Sequence, residues 1–187
     1  MNKIIFSLIV VLFLIGFSFL LFYSFEKEEE KVEVDSFEEC VEAGNPVMES
    51  YPRQCIHEGE KFVEDIGNEV EKTDLIQLHS VQPDKKIESP LTITGEARGE
   101  WFFEAEFPVT LTWDGEVIAQ GIATAEDDWM TSDFVPFESV ITFSVSEEMV
   151  GEEGVLSLHK SNPSGLPEND DVLEVPVIFS ETEEEED

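Results

Sequence analysis

From Asp74 to Phe179 apolar and polar residues alternate in short runs, and this period of two restricts the fold more than any other feature of the chain. Val109, Leu111 and Trp113 alternate with Thr110 and Thr112; Ile141, Phe143 and Val145 alternate with Thr142 and Ser144; Leu173, Val175, Val177 and Phe179 follow the same step around Glu174. Side chains point to opposite faces at successive positions of a strand, so each run buries one face and wets the other. The expected strands are Leu75–Val81, Leu91–Ala97, Ala105–Trp113, Glu116–Ala125, Val135–Val145, Val155–Lys160 and Val172–Phe179. Turn residues separate them, and Asp114-Gly115 between two runs is a strong hairpin signal. No helical spacing competes.

About seven such strands in about 105 residues fit an all-β, immunoglobulin-like two-sheet sandwich. The stretches IESPLTITGEARGEWFFEAEFPVTL (87–111), IATAEDDWMT (122–131), FVPFE (134–138) and NPSGLPENDD (162–171) carry a specific resemblance. In unbroken order, from about Asp74 to Phe179, the chain resembles the immunoglobulin-like domain of bacterial spore-germination proteins, a type often attached to a GerMN domain. The resemblance implies an extracytoplasmic, non-enzymatic module for binding or assembly. A germination role does not transfer with it, because no GerMN segment lies within these residues.

The N-terminus sets the address. Ile4–Tyr23 reads IIFSLIVVLFLIGFSFLLFY, and about 20 apolar residues suffice to cross a hydrocarbon core as a helix. Residues 1–25 are therefore expected to be an uncleaved membrane anchor. The rival is a cleaved signal peptide, for which Gly16-Phe17-Ser18 is a poor site. Lys3 stands before the run and Lys27 and Lys31 after it, so flanking charge does not fix the orientation. The cysteines discussed below favour an oxidising compartment, which places the long C-terminal part outside the cytoplasm. Residues 26–35 read as an acidic stalk, and residues 181–187 as a disordered acidic tail.

Between stalk and sandwich, residues 36–66 form a small module around the chain's 2 cysteines. Ser36 and Glu39 have capping-box spacing for a short helix over Phe37–Ala43; Gly44 and Asn45 end it, and Pro46 forbids continuation. Tyr51-Pro52-Arg53 makes a second bend, Glu58-Gly59-Glu60 is a turn, and Lys61–Asp65 reads as a short strand. So few apolar residues make no core unaided, and a Cys40–Cys55 disulfide is expected to hold the module. Free thiols and a metal site are the alternatives; the cysteines with His57 lack the repeated Cys-x-x-Cys spacing of zinc sites. FEECVEAGNPVMESYPRQC (37–55) resembles a Cys-pair element of anchored bacterial proteins whose role is unknown. Residues 67–73 read as a second acidic linker, and residues 74–180 as the immunoglobulin-like domain.

The formal net charge is -34, with 44 Asp+Glu against 10 Lys+Arg. Such a polyanion repels nucleic acid and anionic headgroups. Two places invite a binding reading. Trp101, Phe102 and Phe103, with Trp129 at the same end, compose a candidate recognition surface, against the commoner fate of sandwich aromatics as core. Asp127, Asp128, Glu168, Asp170 and Asp171 offer hard oxygens to calcium, against a structural turn in which Asn and Asp side chains bond nearby backbone. No other cofactor is expected. His57, His79 and His159 are scattered, and no His-Glu-x-x-His, Gly-x-Ser-x-Gly or phosphate loop occurs. The expectation is a membrane-anchored, non-catalytic module that binds a protein or cell-envelope polymer, with a structural spacer in an envelope complex as the alternative.

Overall fold

The computed structural model describes residues 34–181. The expected anchor Ile4–Tyr23, nearly all of the stalk and the tail beyond Glu181 lie outside them. Among the described residues no helix is long and apolar enough to cross a membrane.

The N-terminal module is a helix on a three-stranded sheet. Helix α1 (Phe37–Glu42) starts where the Ser36 hydroxyl accepts the Glu39 N–H at 3.1 Å, while the Glu39 carboxylate accepts the Asp35 N–H at 3.0 Å. It ends as Gly44 N–H bonds the Val41 carbonyl and Asn45 N–H the Cys40 carbonyl, the paired closure of a Schellman motif. Strands β1 (Val47–Met48), β2 (Gln54–His57) and β3 (Glu60–Val63) pair antiparallel in the order β1-β2-β3. The disulfide joins Cys40 of α1 to Cys55 of the central strand, with Cα atoms 6.1 Å apart. Both cysteines are fully buried, and with Phe37 they are the core of this module, flanked by Val34 and Phe62. So small an apolar cluster explains why a covalent link is needed.

The remaining chain forms α2 (Glu69–Lys72), β4 (Ile76–Leu78), β5 (Lys85–Ile87), β6 (Leu91–Arg98), β7 (Glu106–Trp113), β8 (Glu116–Ala125), β9 (Phe134–Ile141), β10 (Glu153–His159) and β11 (Val172–Phe179). One hydrogen-bonded ladder runs β4-β6-β9-β8-β7-β10-β11-β5. It folds on itself at its narrowest joint: β8 pairs with β7 along its length, but with β9 only through Thr124↔Glu138 and Ala125↔Phe137. The layer β4-β6-β9 thereby faces the layer β8-β7-β10-β11-β5. Across the gap Phe107 of β7 meets Phe137 of β9 edge to face, ring centroids 4.9 Å apart.

The alternation read from the sequence is the burial pattern. Val109, Leu111, Ile141, Leu173, Val175, Val177 and Phe179 are all at most 1% exposed and share one core with Ile93, Leu156 and Leu158. Strands β8 and β11 have the expected boundaries, and both Asp114 and Gly115 take the positive φ that their two-residue hairpin demands.

Three differences have local causes. The strand expected over Leu75–Val81 shortens to β4, Ile76–Leu78, and an unexpected strand, β5, follows a turn in which Pro83 lacks an N–H and Asp84 sits at φ 55°. The chain changes layers there, β4 bonding β6 while β5 runs parallel to β11. Strand β9 ends at Ile141 rather than Val145, because the Ser89 hydroxyl takes the Phe143 N–H at 2.9 Å in place of a ladder partner. The small module's pairing residues β1 and β2 carried no strand signal.

The segment read as a linker, 67–73, is stitched to the sandwich. Asn68 N–H donates to the Glu174 carbonyl at 3.2 Å, its side-chain amide donates to the Val172 carbonyl at 2.9 Å, and its side-chain oxygen accepts the Glu174 N–H at 2.8 Å. Lys72 pairs with Asp171. One step further along β11 the Asp84 N–H donates to the Pro176 carbonyl at 3.0 Å, and β5 covers Val177–Phe179. The outer edge of β11 is thus occupied from end to end. Gly67 lets the chain approach it: φ is +63°, and a Cβ there would collide with the Glu174 carbonyl oxygen.

Two outcomes follow from this construction. Replacing Cys40 and Cys55 together by Ser is expected to destabilise the N-terminal module by about 3 kcal/mol. Because the two cores are separate clusters, hydrogen exchange should accelerate in residues 36–63 and stay slow in β7, β10 and β11; uniform acceleration would contradict the separation. Gly67→Ala should cost about 2–3 kcal/mol, read as a lowered melting temperature with exchange rising first at Val172–Glu174.

Candidate functional site

The aromatic cluster is mostly core. Trp101 ends a 3-10 turn, Gly99–Trp101, and is fully buried; Phe102 is 3% exposed and packs against Phe107 at 5.2 Å. The turn replaces the extended chain that would have sent alternate rings outward. Trp129 is half-buried against the same core, leaving Phe103 the exposed ring of the four. Trp101 and Phe102 thus take the core position weighed against the recognition surface, and a ligand has only Phe103 and part of Trp129 to reach.

The carboxylates are largely occupied by local bonds. Asp128 accepts the Met130 N–H at 3.0 Å, Asp170 accepts the Asn162 side-chain amide at 2.7 Å, and Asp171 holds Lys72 and its neighbour's Val172 N–H at 2.9 Å. Asn162 organises its loop, its amide also reaching the Leu166 carbonyl at 2.8 Å and its oxygen accepting from Ser164. Asp127 and Glu168 are exposed and belong to no shared site. Among the described residues no group of three His, Cys, Asp or Glu side chains is arranged to hold a metal ion. Asp128 and Asn162 bond nearby backbone, as the structural-turn alternative expects.

What the fold creates instead is a cleft of about 470 Å³ where the disulfide module meets the sandwich. The β1–β2 loop contributes Tyr51 and Arg53, the chain after β3 contributes Glu64 and Ile66, and α2 contributes Glu69. The sandwich side is Leu78 of β4, the β4–β5 connection with His79, Val81 and Gln82, and Lys85 of β5.

Its polar groups are pre-positioned. Arg53 and Glu64 exchange both backbone and side-chain bonds: the guanidinium Nε lies 2.8 Å from Oε1, Arg53 N–H is 3.1 Å from Oε2, and Glu64 N–H donates to the Arg53 carbonyl at 3.0 Å. That guanidinium holds the Glu64 carboxyl below its ordinary range, against an opposing effect of burial. The Tyr51 hydroxyl donates to the Glu69 carboxylate; burial first and that carboxylate second hold the phenol above its usual range. Tyr51 nevertheless stays 62% exposed, tethered at its hydroxyl and open to solvent over most of its surface.

Behind the cleft, Asp84 is under strain of charge. Burial, then the carboxylates of Glu38, Glu64, Glu153 and Asp65, push it up to about 6 from 3.8, and its Oδ2 is buried with no hydrogen-bond partner. Glu153 is raised as well, by burial and then by Asp65 and Glu38.

Sequence reading missed this site for a physical reason. Tyr51-Pro52-Arg53 showed only a bend, and Leu78–Val81 only the end of a strand; nothing local says that they share a wall.

Residues 75–165 match the family described as the immunoglobulin-like domain of bacterial spore germination. The match ends before β11, which the sheet nonetheless requires as the partner of β10 and β5. No curated protein and no solved structure matches the chain.

The buried carboxyl sets a pH dependence. With a folded-state value near 6 against 3.8, Asp84 favours the fold fully below 3.8, and that contribution is lost as pH rises through 6. Asp84→Asn is therefore expected to stabilise the protein at pH 7.5 by about 1 kcal/mol after solvent screening. It should also flatten the wild-type loss of stability between about pH 4 and 6. Denaturant unfolding across that range checks both; a less stable variant at pH 7.5 would refute the assignment.

Proposed function

We propose that this chain, which carries an immunoglobulin-like domain of the bacterial spore-germination type at residues 75–165, is a membrane-anchored binding module working outside the cytoplasm. The family suggests a non-catalytic binding or structural module. The observation that carries the binding reading is the cleft between the two modules, with its fixed ion pair and its exposed tyrosine. Its target is a protein or a cell-envelope polymer. The Cys40–Cys55 bridge supports an oxidising location, and the apolar run Ile4–Tyr23 supports an anchor.

One observation favours a second reading, a spacer within an envelope complex. Asn68 and Lys72, in the segment that follows the disulfide module, bond Val172, Glu174 and Asp171, which ties that segment to the sandwich.

Location and role are separable by experiment. Protease added to intact spheroplasts should destroy an epitope placed after Phe179 without lysis; protection until lysis would end the external placement. Affinity purification from envelope extracts should recover the same partner with the full chain and with a form lacking Ile4–Tyr23. Recovery that requires the apolar run would favour the spacer.

A further inference from the structure

We propose that the cleft between the disulfide module and the sandwich binds a short stretch of uncharged glycan. This rests on the binding-module reading and gives its ligand a chemical class.

Charge is the first argument. The chain carries a net -34, yet the cleft holds Arg53 and Lys85 against Glu64 and Glu69, two cations against two carboxylates. Both carboxylates are already engaged, Glu64 by Arg53 and Glu69 by Tyr51. A polyanionic polymer would approach a strongly negative molecule and find no excess of cations. A cation would find both lining carboxylates already bonded, and acidic surface everywhere else. A neutral ligand suits the cleft.

Shape and surface supply the second argument. About 470 Å³ lies within the usual range of small-ligand sites, about 300–1,000 Å³. The wall is amphipathic in the manner of a sugar ring. Tyr51 offers an exposed aromatic ring whose tip is tethered to Glu69, so little side-chain entropy remains to be lost on contact. Leu78 and Val81 make an apolar floor for C–H faces. The Gln82 amide and the His79 imidazole, both exposed, combine donor and acceptor on flat groups that vicinal hydroxyls can bridge.

The test uses the full-length protein in a detergent without sugar headgroups. Isothermal titration is run with a neutral N-acetylhexosamine tetrasaccharide and a neutral glucose tetrasaccharide, with a hexuronate tetrasaccharide and tetra-alanine for comparison. One-site binding of at least one neutral sugar is expected, with Kd about 0.1–1 mM. Tyr51→Ala should weaken it about tenfold or more, and Tyr51→Phe, which keeps the ring, by less than about threefold. Gln82→Ala, in an exposed turn of the sandwich, should weaken it about fivefold at unchanged melting temperature. Affinity should hold between about 50 and 500 mM salt. The proposal is overturned by no saturable binding of either neutral sugar, by binding that survives both Tyr51→Ala and Gln82→Ala, or by preference for the hexuronate or the peptide. Silence toward sugars with retained capture of an envelope partner would overturn this inference alone and leave the binding-module reading standing.

Discussion

The outer edge of β11 is where this protein is joined together. An exposed strand edge presents unpaired N–H and C=O groups, and leaving them open invites association with other chains. Here three different devices occupy one edge: a side-chain amide that mimics a strand at Val172 and Glu174, a left-handed Asp84 whose N–H reaches Pro176, and a three-residue parallel strand at Val177–Phe179. The first belongs to the segment that follows the disulfide module and the last two to the sandwich. The Asn68 bonds therefore do two things at once: they protect the sheet edge and tie to the sandwich the segment whose Glu69 lines the cleft.

Electrostatics explain why the junction needs so many directional bonds. Glu38, Glu64, Asp65, Asp84 and Glu153 converge there, and burial raises Asp84 and Glu153. Repulsion of that kind opposes docking. Arg53 offsets part of it, bonding Glu64 and lying over the Phe37 ring at 5.2 Å. Ile66 is the one strongly buried apolar residue of the crossing segment, and it belongs to neither core. The contact is thus held by hydrogen bonds and one ion pair rather than by a shared hydrophobic core. Such bonds depend on geometry, which accounts for the glycine at position 67 beneath the Glu174 carbonyl.

Legibility differed element by element. Glu116–Ala125 and Val172–Phe179 could be read to the residue, because their burial pattern and turn chemistry agree. The Ser36 cap and the cysteine bridge were legible because both are short-range and chemically specific. Strand β5 was not: Lys85 and Lys86 have no strand signal, and lysines on an edge strand discourage further pairing. Trp101 and Phe102 looked like a surface only while the chain around them was taken as extended. The carboxylates of 168–171 could be counted but not assigned, since whether an oxygen is spent on a neighbour depends on where Lys72 and Asn162 come to lie.

By itself the sequence determined the β architecture, its apolar face, the disulfide and the apolar run at the N-terminus, because alternation, capping and cysteine count act over a few residues. Tertiary structure alone decided that residues 67–73 dock rather than link, that the tryptophan turn faces inward, and that Tyr51 and Arg53 meet Leu78 and Gln82 across a cleft. Those outcomes join positions far apart in the chain. They depend on backbone hydrogen-bond geometry and on the balance of buried charge, and neither leaves a trace in local residue pattern.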